Sequence, residues 1–368
     1  KSAFASATSG VVVFSTGVTN GNDNNTITFC NIDGGAGATA SPTTVATNGI
    51  YSSGSATTTL LNNSSNTVNN CNFFDYFSPS LASTGILISA GSTDWVITGN
   101  SFYQTNPRTS TAGNIHAAIS VLTGNNFTIS NNIIGGSNSA AGGTPWTLNG
   151  AFANRFIGIN LTVGTTTPTS VQNNTITNLN MVTSSGLSSA PGIFCGIYLN
   201  GGTANIGTTS KNTIGSGTGN SSILVTTTTT GAISTGISVG NASTTASSIS
   251  NNVIGSITLM GSTTSIAHNF MGIEIASYAT LQTLTINNNL IGSLTTSNSI
   301  NLGTALTGAL NQGITGIRCA SSNPVCIITN NTIANLNNAA VSSGSTTYAR
   351  GIVMATSPSN ITGNTIRN

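Results

Sequence analysis

Ten times along the chain the same two marks return in the same order, and that recurrence limits the fold more than any other feature. The first mark is a small residue followed by Ile or Val: Gly10-Val11, Gly49-Ile50, Gly85-Ile86, Ala118-Ile119, Gly158-Ile159, Gly196-Ile197, Gly236-Ile237, Gly272-Ile273, Gly316-Ile317 and Gly351-Ile352. The second is an Asn before x-Ile or x-Phe: Asn25, Asn100, Asn132, Asn174, Asn212, Asn252, Asn289, Asn331 and Asn364, with Cys71 in that place in the second repeat. From first mark to second is 13 to 22 residues, and from second to the next first is 14 to 27. Insertions therefore gather in the second half, as in Ile223–Thr235 and Thr295–Gln312.

The apolar residues beside the marks alternate, as in "GISV" at Gly236–Val239 and "GIEI" at Gly272–Ile275. Alternation with β-branched residues, bounded by Gly, Asn and Ser, reads as short strands. One coil cannot bury its own apolar face, so coils stack and bury it against their neighbours. The expectation is an all-β solenoid of about ten coils, a single domain over residues 1–368. At a strand spacing of ~4.8 Å it would be a rod roughly 48 Å long.

Stacking predicts which residues fill the bore. Two positions after the second mark stand Ile27, Phe73, Phe102, Ile134, Ile176, Ile214, Ile254, Ile291, Ile333 and Ile366. Three positions before it stand Val68, Ile97, Ile129, Val171, Ile249, Ile286, Ile328 and Ile361, with Asn22 and Thr209 breaking the row. The Asn between these rows is expected to turn the corner in the left-handed region, which Asn tolerates. Its amide is expected to bond to the Asn of the next coil, forming a structural ladder.

The chain is 3% charged, with a net charge of +2 and 43 Gly. Stacked like charges destabilise a sheet, and a solenoid of near-identical coils would meet that penalty repeatedly. Glu274 and Arg318 each lie two residues after the first mark in consecutive coils, which predicts a surface ion pair. No basic cluster exists to draw nucleic acid. No apolar run approaches the ~18 residues of a membrane span. Five cysteines form no CxxC, and the two histidines stand alone, so no metal or other cofactor is expected. Cys319 and Cys326 flank "ASSNPV" and could bridge as a disulfide in an oxidising compartment. Cys195 reads as a buried small hydrophobe.

The stretches "SNITGNTI" (Ser359–Ile366), "WVITGNSF" (Trp95–Phe102) and "FTISNNII" (Phe127–Ile134) resemble parallel β-helix repeats of the pectin-lyase-like superfamily. The resemblance covers essentially the whole chain and implies a right-handed parallel β-helix. The Thr/Ser/Asn-rich style resembles the large secreted β-strand-repeat surface proteins of Bacteroidota-type bacteria. That second resemblance implies export to the cell surface or the medium.

Pectin-lyase-like folds host polysaccharide lyases and hydrolases, but fold alone does not carry function. Glycoside hydrolysis needs two carboxylates at one site. The five acids are Asp23, Asp33, Asp75, Asp94 and Glu274, and only Asp33 and Asp75 fall near one another in phase. His116 and His268 have no acid or nucleophile in phase and read as solvated or capping groups. Trp95, Tyr103 and Trp146 could offer a stacking surface to a sugar, with Arg108 and Arg155 in the same region, or could pack onto the solenoid. An ice-binding face would need a strict Thr array, and the row Thr98, Ser130, Gln172, Ser210, Ser250, Asn287, Thr329, Thr362 is mixed.

Lys1 is not an initiator Met, so a processed chain or an excerpt is expected. A second copy following the first would place its Gly10 14 residues after Asn364, the length of the shortest internal connector, Cys71 to Gly85. The sequence thus points to a non-catalytic structural or adhesive protein, secreted or at the cell surface. It would be a subunit or segment of a filament, with a second copy or flanking coils as axial partner and surface glycans as a further one. The alternative is a carbohydrate-binding or polysaccharide-cleaving β-helix.

Overall fold

The computed structural model describes residues 6–242, 246–278, 282–307, 310–341, 347–355 and 359–367. Three parallel sheets of ten strands run the length of the chain, each strand pairing with its counterpart one coil before and one coil after. The first sheet runs from Gly10–Phe14 to Thr347–Met354, the second from Thr26–Thr28 to Ser359–Thr362, and the third from Asn31–Asp33 to Thr365–Arg367. This is a parallel β-helix of ten coils. Ile50, Ile86, Ile119, Ile159, Ile197, Ile237, Ile273, Ile317 and Ile352 stand in one register row of the first sheet.

The two marks of the sequence are two sides of one contact across the bore. A Cβ on Gly236 would come within 2.7 Å of the Ile254 side chain and 2.6 Å of the Gly272 carbonyl oxygen. The same pairing joins Gly158 to Ile176, Gly196 to Ile214, Gly272 to Ile291 and Gly316 to Ile333. The glycine is there so that the aliphatic side chain opposite can fill the coil to interior density.

The Asn ladder forms, in a more specific way than stacking alone requires. The Asn132 backbone N–H and Nδ2 both donate to Oδ1 of Asn174, at 3.1 and 2.9 Å, and Nδ2 also donates to the Ile97 carbonyl at 2.9 Å. From Asn100 to Asn331, each Nδ2 donates to the Asn of the next coil and to an inward-row carbonyl of the coil before. Every amide is thus a three-way bridge along the axis.

Four expectations are corrected. The corner is turned by the residue before the ladder Asn: Asn70, Gly99, Asn131, Asn173, Asn251, Asn288, Asn330 and Gly363 have φ between 52° and 67°. The ladder Asn stays out of the left-handed region and aims its amide inward. In the first coil Asn25 is not the ladder residue. It donates to Asn66, Ile27 pairs with Val68, and Ile32 pairs with Phe73, so Cys30 holds the ladder place, its N–H donating to Cys71 Sγ at 3.4 Å. Gly10 stands opposite Asn48, one position out of phase, so Val12 is the residue in the Ile50 row. In the sixth coil Ile206 pairs with Val171 and Ile249, filling the row in which the sequence pattern places Thr209.

The second half of the repeat is more regular than its varying length suggests. It carries a fourth parallel sheet of seven strands, from Arg108–Thr109 to Leu336–Asn338. Ile223–Thr227, within one apparent insertion, is one of its strands and alternates between buried and half-buried residues.

Candidate functional site

The fourth sheet begins in the third coil, and its first strand is covered by residues 34–47 of the first. Thr109 N–H donates to the Ala40 carbonyl at 2.9 Å, and Ser41 Oγ to the Thr109 carbonyl at 2.6 Å. Covering an edge strand in this way removes an open pairing template. Arg108 fastens the cover. Its side chain is fully buried, Nη1 donating to the carbonyls of Gly37 and Thr39 at 2.9 and 2.8 Å, and Nε to Gln104 Oε1 at 2.7 Å. Nη2 forms a short ion pair with Asp75 Oδ1. Asp75 also accepts from the N–H of Thr105 at 2.9 Å and from its hydroxyl at 2.7 Å.

This buried pair ties residues of the first, second and third coils together on the flank of the rod. Its carboxylate oxygens and guanidinium nitrogens are occupied by protein partners, so the geometry makes a clamp. Asp33, the acid expected nearest to Asp75, has its Oδ1 on the Gly35 N–H at 2.7 Å. Burial raises the pKa of the Tyr103 hydroxyl, and the Asp75 and Asp33 carboxylates add to it. Nothing in the periodic pattern links Asp75 to Arg108. The signal available was their rarity, since a charge in so neutral a chain needs a partner.

The aromatic surface does not form. Trp95 and Trp146 are core residues: Trp95 Nε1 donates to the Asn63 carbonyl at 2.7 Å, and Trp146 packs edge-on against Tyr76 and Phe156. Tyr103 is buried and stacked on Phe74 at 5.2 Å. None of the three offers an open ring face, because each packs against neighbouring side chains of the coils. Arg155 donates Nε to the Gly192 carbonyl at 2.9 Å and lies on the first sheet.

His116 and His268 are buried, not solvated, with hydroxyls of Ser110 and Ser234 at 3.5 and 3.0 Å from their Nε2 atoms. Burial pulls them down to about 4 and about 3, so both are neutral at neutral pH. Among the described residues no three of His, Cys, Asp and Glu stand together as a metal site. Cys319 and Cys326 are buried as hydrogen-bonded thiols with their sulfurs 2.9 Å apart, so the expected disulfide is not present as a bond, and Cys195 is buried as expected.

Glu274 and Arg318 are register neighbours, with Nε and Oε1 3.7 Å apart. The pair is not a surface one. Glu274 is 3% exposed, held in its row between Ser238 and Arg318, while the Arg318 side chain is 39% exposed. Arg318 opens on a groove of about 380 Å³ shared with Asn269, Met271, Tyr348 and Arg350, where the Arg350 guanidinium lies 3.9 Å over the Tyr348 ring.

Burial raises the Glu274 carboxyl from 4.5 to about 7, against the pull of Arg318. Below pH 4.5 the group is protonated in both folded and unfolded chains. Above pH 7 the folded chain must hold a buried carboxylate, which costs about 3 kcal/mol at 1.36 kcal/mol per pKa unit. Glu274→Gln is therefore expected to raise stability by about that much at pH 8.5 and to leave it unchanged at pH 4.5. Denaturant titrations at the two pH values check this, and an equal effect at both would mean that the carboxyl titrates normally. The two histidines act in the opposite sense, because their folded pKa values are depressed. Their neutral burial costs nothing above pH 6.5 and removes stability as pH falls from there toward 4 and 3.

No protein-family model, curated protein or solved structure matches the chain.

Proposed function

We propose that the chain is a non-catalytic structural or adhesive rod, working outside the cell as a subunit or segment of a surface filament. The observation that supports this reading is the equivalence of the coils along the axis. The ladder amides all donate in one sense, and the three long sheets keep one sequence of register rows from coil to coil. From the third coil to the ninth, the leading face of one coil thus matches the trailing face of another, and the three long sheets carry the match to both ends. A contact between such unlike faces does not close into a ring and propagates as an open filament. The axial partner is a second copy or further coils of the same kind, and neutral hydroxyl and amide side walls suit contact with surface glycans.

Electron microscopy of purified protein at neutral pH tests the reading. Long unbranched fibres with an axial repeat of roughly 48 Å, ten strand spacings, are expected. Single short rods at every concentration would overturn self-assembly.

A further inference from the structure

The second and first sheets meet at a corner where each coil places two side chains side by side. In successive coils these are Ile88 with Trp95, Val121 with Phe127, Leu161 with Thr169, Leu199 with Ala204, Val239 with Ser247, and Ile275 with Leu284. In the ninth coil both places are cysteine: Cys319 stands in register with Ile275, and Cys326 with Leu284. The two follow directly on the aliphatic pair of the eighth coil, and their sulfurs lie 2.9 Å apart in the buried corner. A disulfide needs an S–S distance of about 2.05 Å, so closure asks for a movement of under about 1 Å.

We infer that Cys319 and Cys326 form an intrachain disulfide that staples the first sheet to the second across the loop between them. Once the corner is packed, the Cys326 thiol is inert. The hydrogen bond between the two sulfurs raises its pKa, and burial adds to this. Little Cys326 thiolate is then available to attack. The bond therefore forms while the coil is still open, by exchange with the disulfide of a thiol–disulfide oxidoreductase. One cysteine thiolate attacks a sulfur of the oxidant and displaces the other oxidant sulfur as thiolate. The second cysteine then attacks the mixed disulfide and releases the oxidant as a dithiol. Two electrons and two protons pass to the oxidant.

The inference does not rest on filament formation, and the test separates the two. The full chain is folded with a glutathione redox couple or exported into an oxidising compartment. It is then alkylated under denaturing conditions without reduction and digested with trypsin. Cleavage after Arg318 and Arg350 leaves both cysteines on one peptide. That peptide is expected unalkylated and lighter by two hydrogen atoms, with Cys30, Cys71 and Cys195 alkylated. The guanidinium midpoint of oxidised protein is expected above that of reduced protein, and the difference should vanish in the double variant Cys319→Val, Cys326→Ala. Alkylation at Cys319 and Cys326, a link between Cys30 and Cys71 in their place, or a redox-dependent midpoint that survives the double substitution would each overturn it.

Discussion

Replacing Asn174 by leucine is expected to destabilise the protein by about 4 kcal/mol, although leucine is apolar and the site is fully buried. The reason is the number of groups that the amide serves. Its Oδ1 accepts two hydrogen bonds from Asn132, and its Nδ2 donates to Asn212 Oδ1 at 3.0 Å and to the Ile129 carbonyl at 2.9 Å. Removing one partner leaves the others buried and unsatisfied, at roughly 1–3 kcal/mol for each group orphaned outright. Asn212 Oδ1 keeps the Asn174 backbone N–H at 2.9 Å, and Asn132 Nδ2 keeps the Ile97 carbonyl, so the loss falls short of all four bonds. Asn174→Cys should cost about half as much, since a thiol can still accept, as Cys71 Sγ does from the Cys30 N–H. Equilibrium denaturation of the three proteins checks the order. A leucine variant within about 1 kcal/mol of the parent would mean that the ladder carries register and not stability.

The ladder also shows why so much of this fold can be read from the residues. In a solenoid each position answers to the same position one coil away, so ten copies of a weak local pattern become one strong constraint. That is how the Ile rows, the Gly row and eight consecutive ladder asparagines were legible. The misreadings sit where a coil departs from its neighbours. In "NNTITFCNID" both Asn25 and Cys30 precede x-Ile, and the periodic reading takes the Asn, although Cys71 in the next coil already marked the cysteine as equivalent. In "ANIGTTSKNTI" three extra residues follow Gly207 and displace Ile206 from its expected offset.

The candidate sites were far less legible, because they depend on contacts that do not repeat. Whether Trp146 faces solvent or core is set by the fourth sheet, which neither mark registers. The same holds for Glu274, whose outward row position says nothing of how closely Ser238 and Arg318 enclose it. The chain does place charge where a non-repeating piece must be fixed, and the flank clamp is its clearest case.

Arg108→Met is expected to cost about 3–5 kcal/mol, the penalty for leaving a buried charge without its partner. Asp75 would keep only the Thr105 donors, and the carbonyls of Gly37 and Thr39 would lose the guanidinium that holds them. The loss should therefore have a local signature. Residues 34–47 should come free of the Arg108–Thr109 strand, and a protease of broad specificity should cut there before the rest of the rod unfolds. Asp75→Leu should cost a similar amount for the mirror-image reason, an uncompensated guanidinium. The double variant Asp75→Leu, Arg108→Met should cost less than either single change, because two apolar side chains can replace a buried pair at little net loss. Added salt should not mimic any of these variants, since a buried pair is poorly screened. If Arg108→Met cost under about 1 kcal/mol and residues 34–47 stayed resistant, the cover would be held by its backbone bonds to Thr109, and the ion pair would be incidental. The expected order, two damaging single changes and a milder double, separates a charge kept for its partner from one that is merely enclosed.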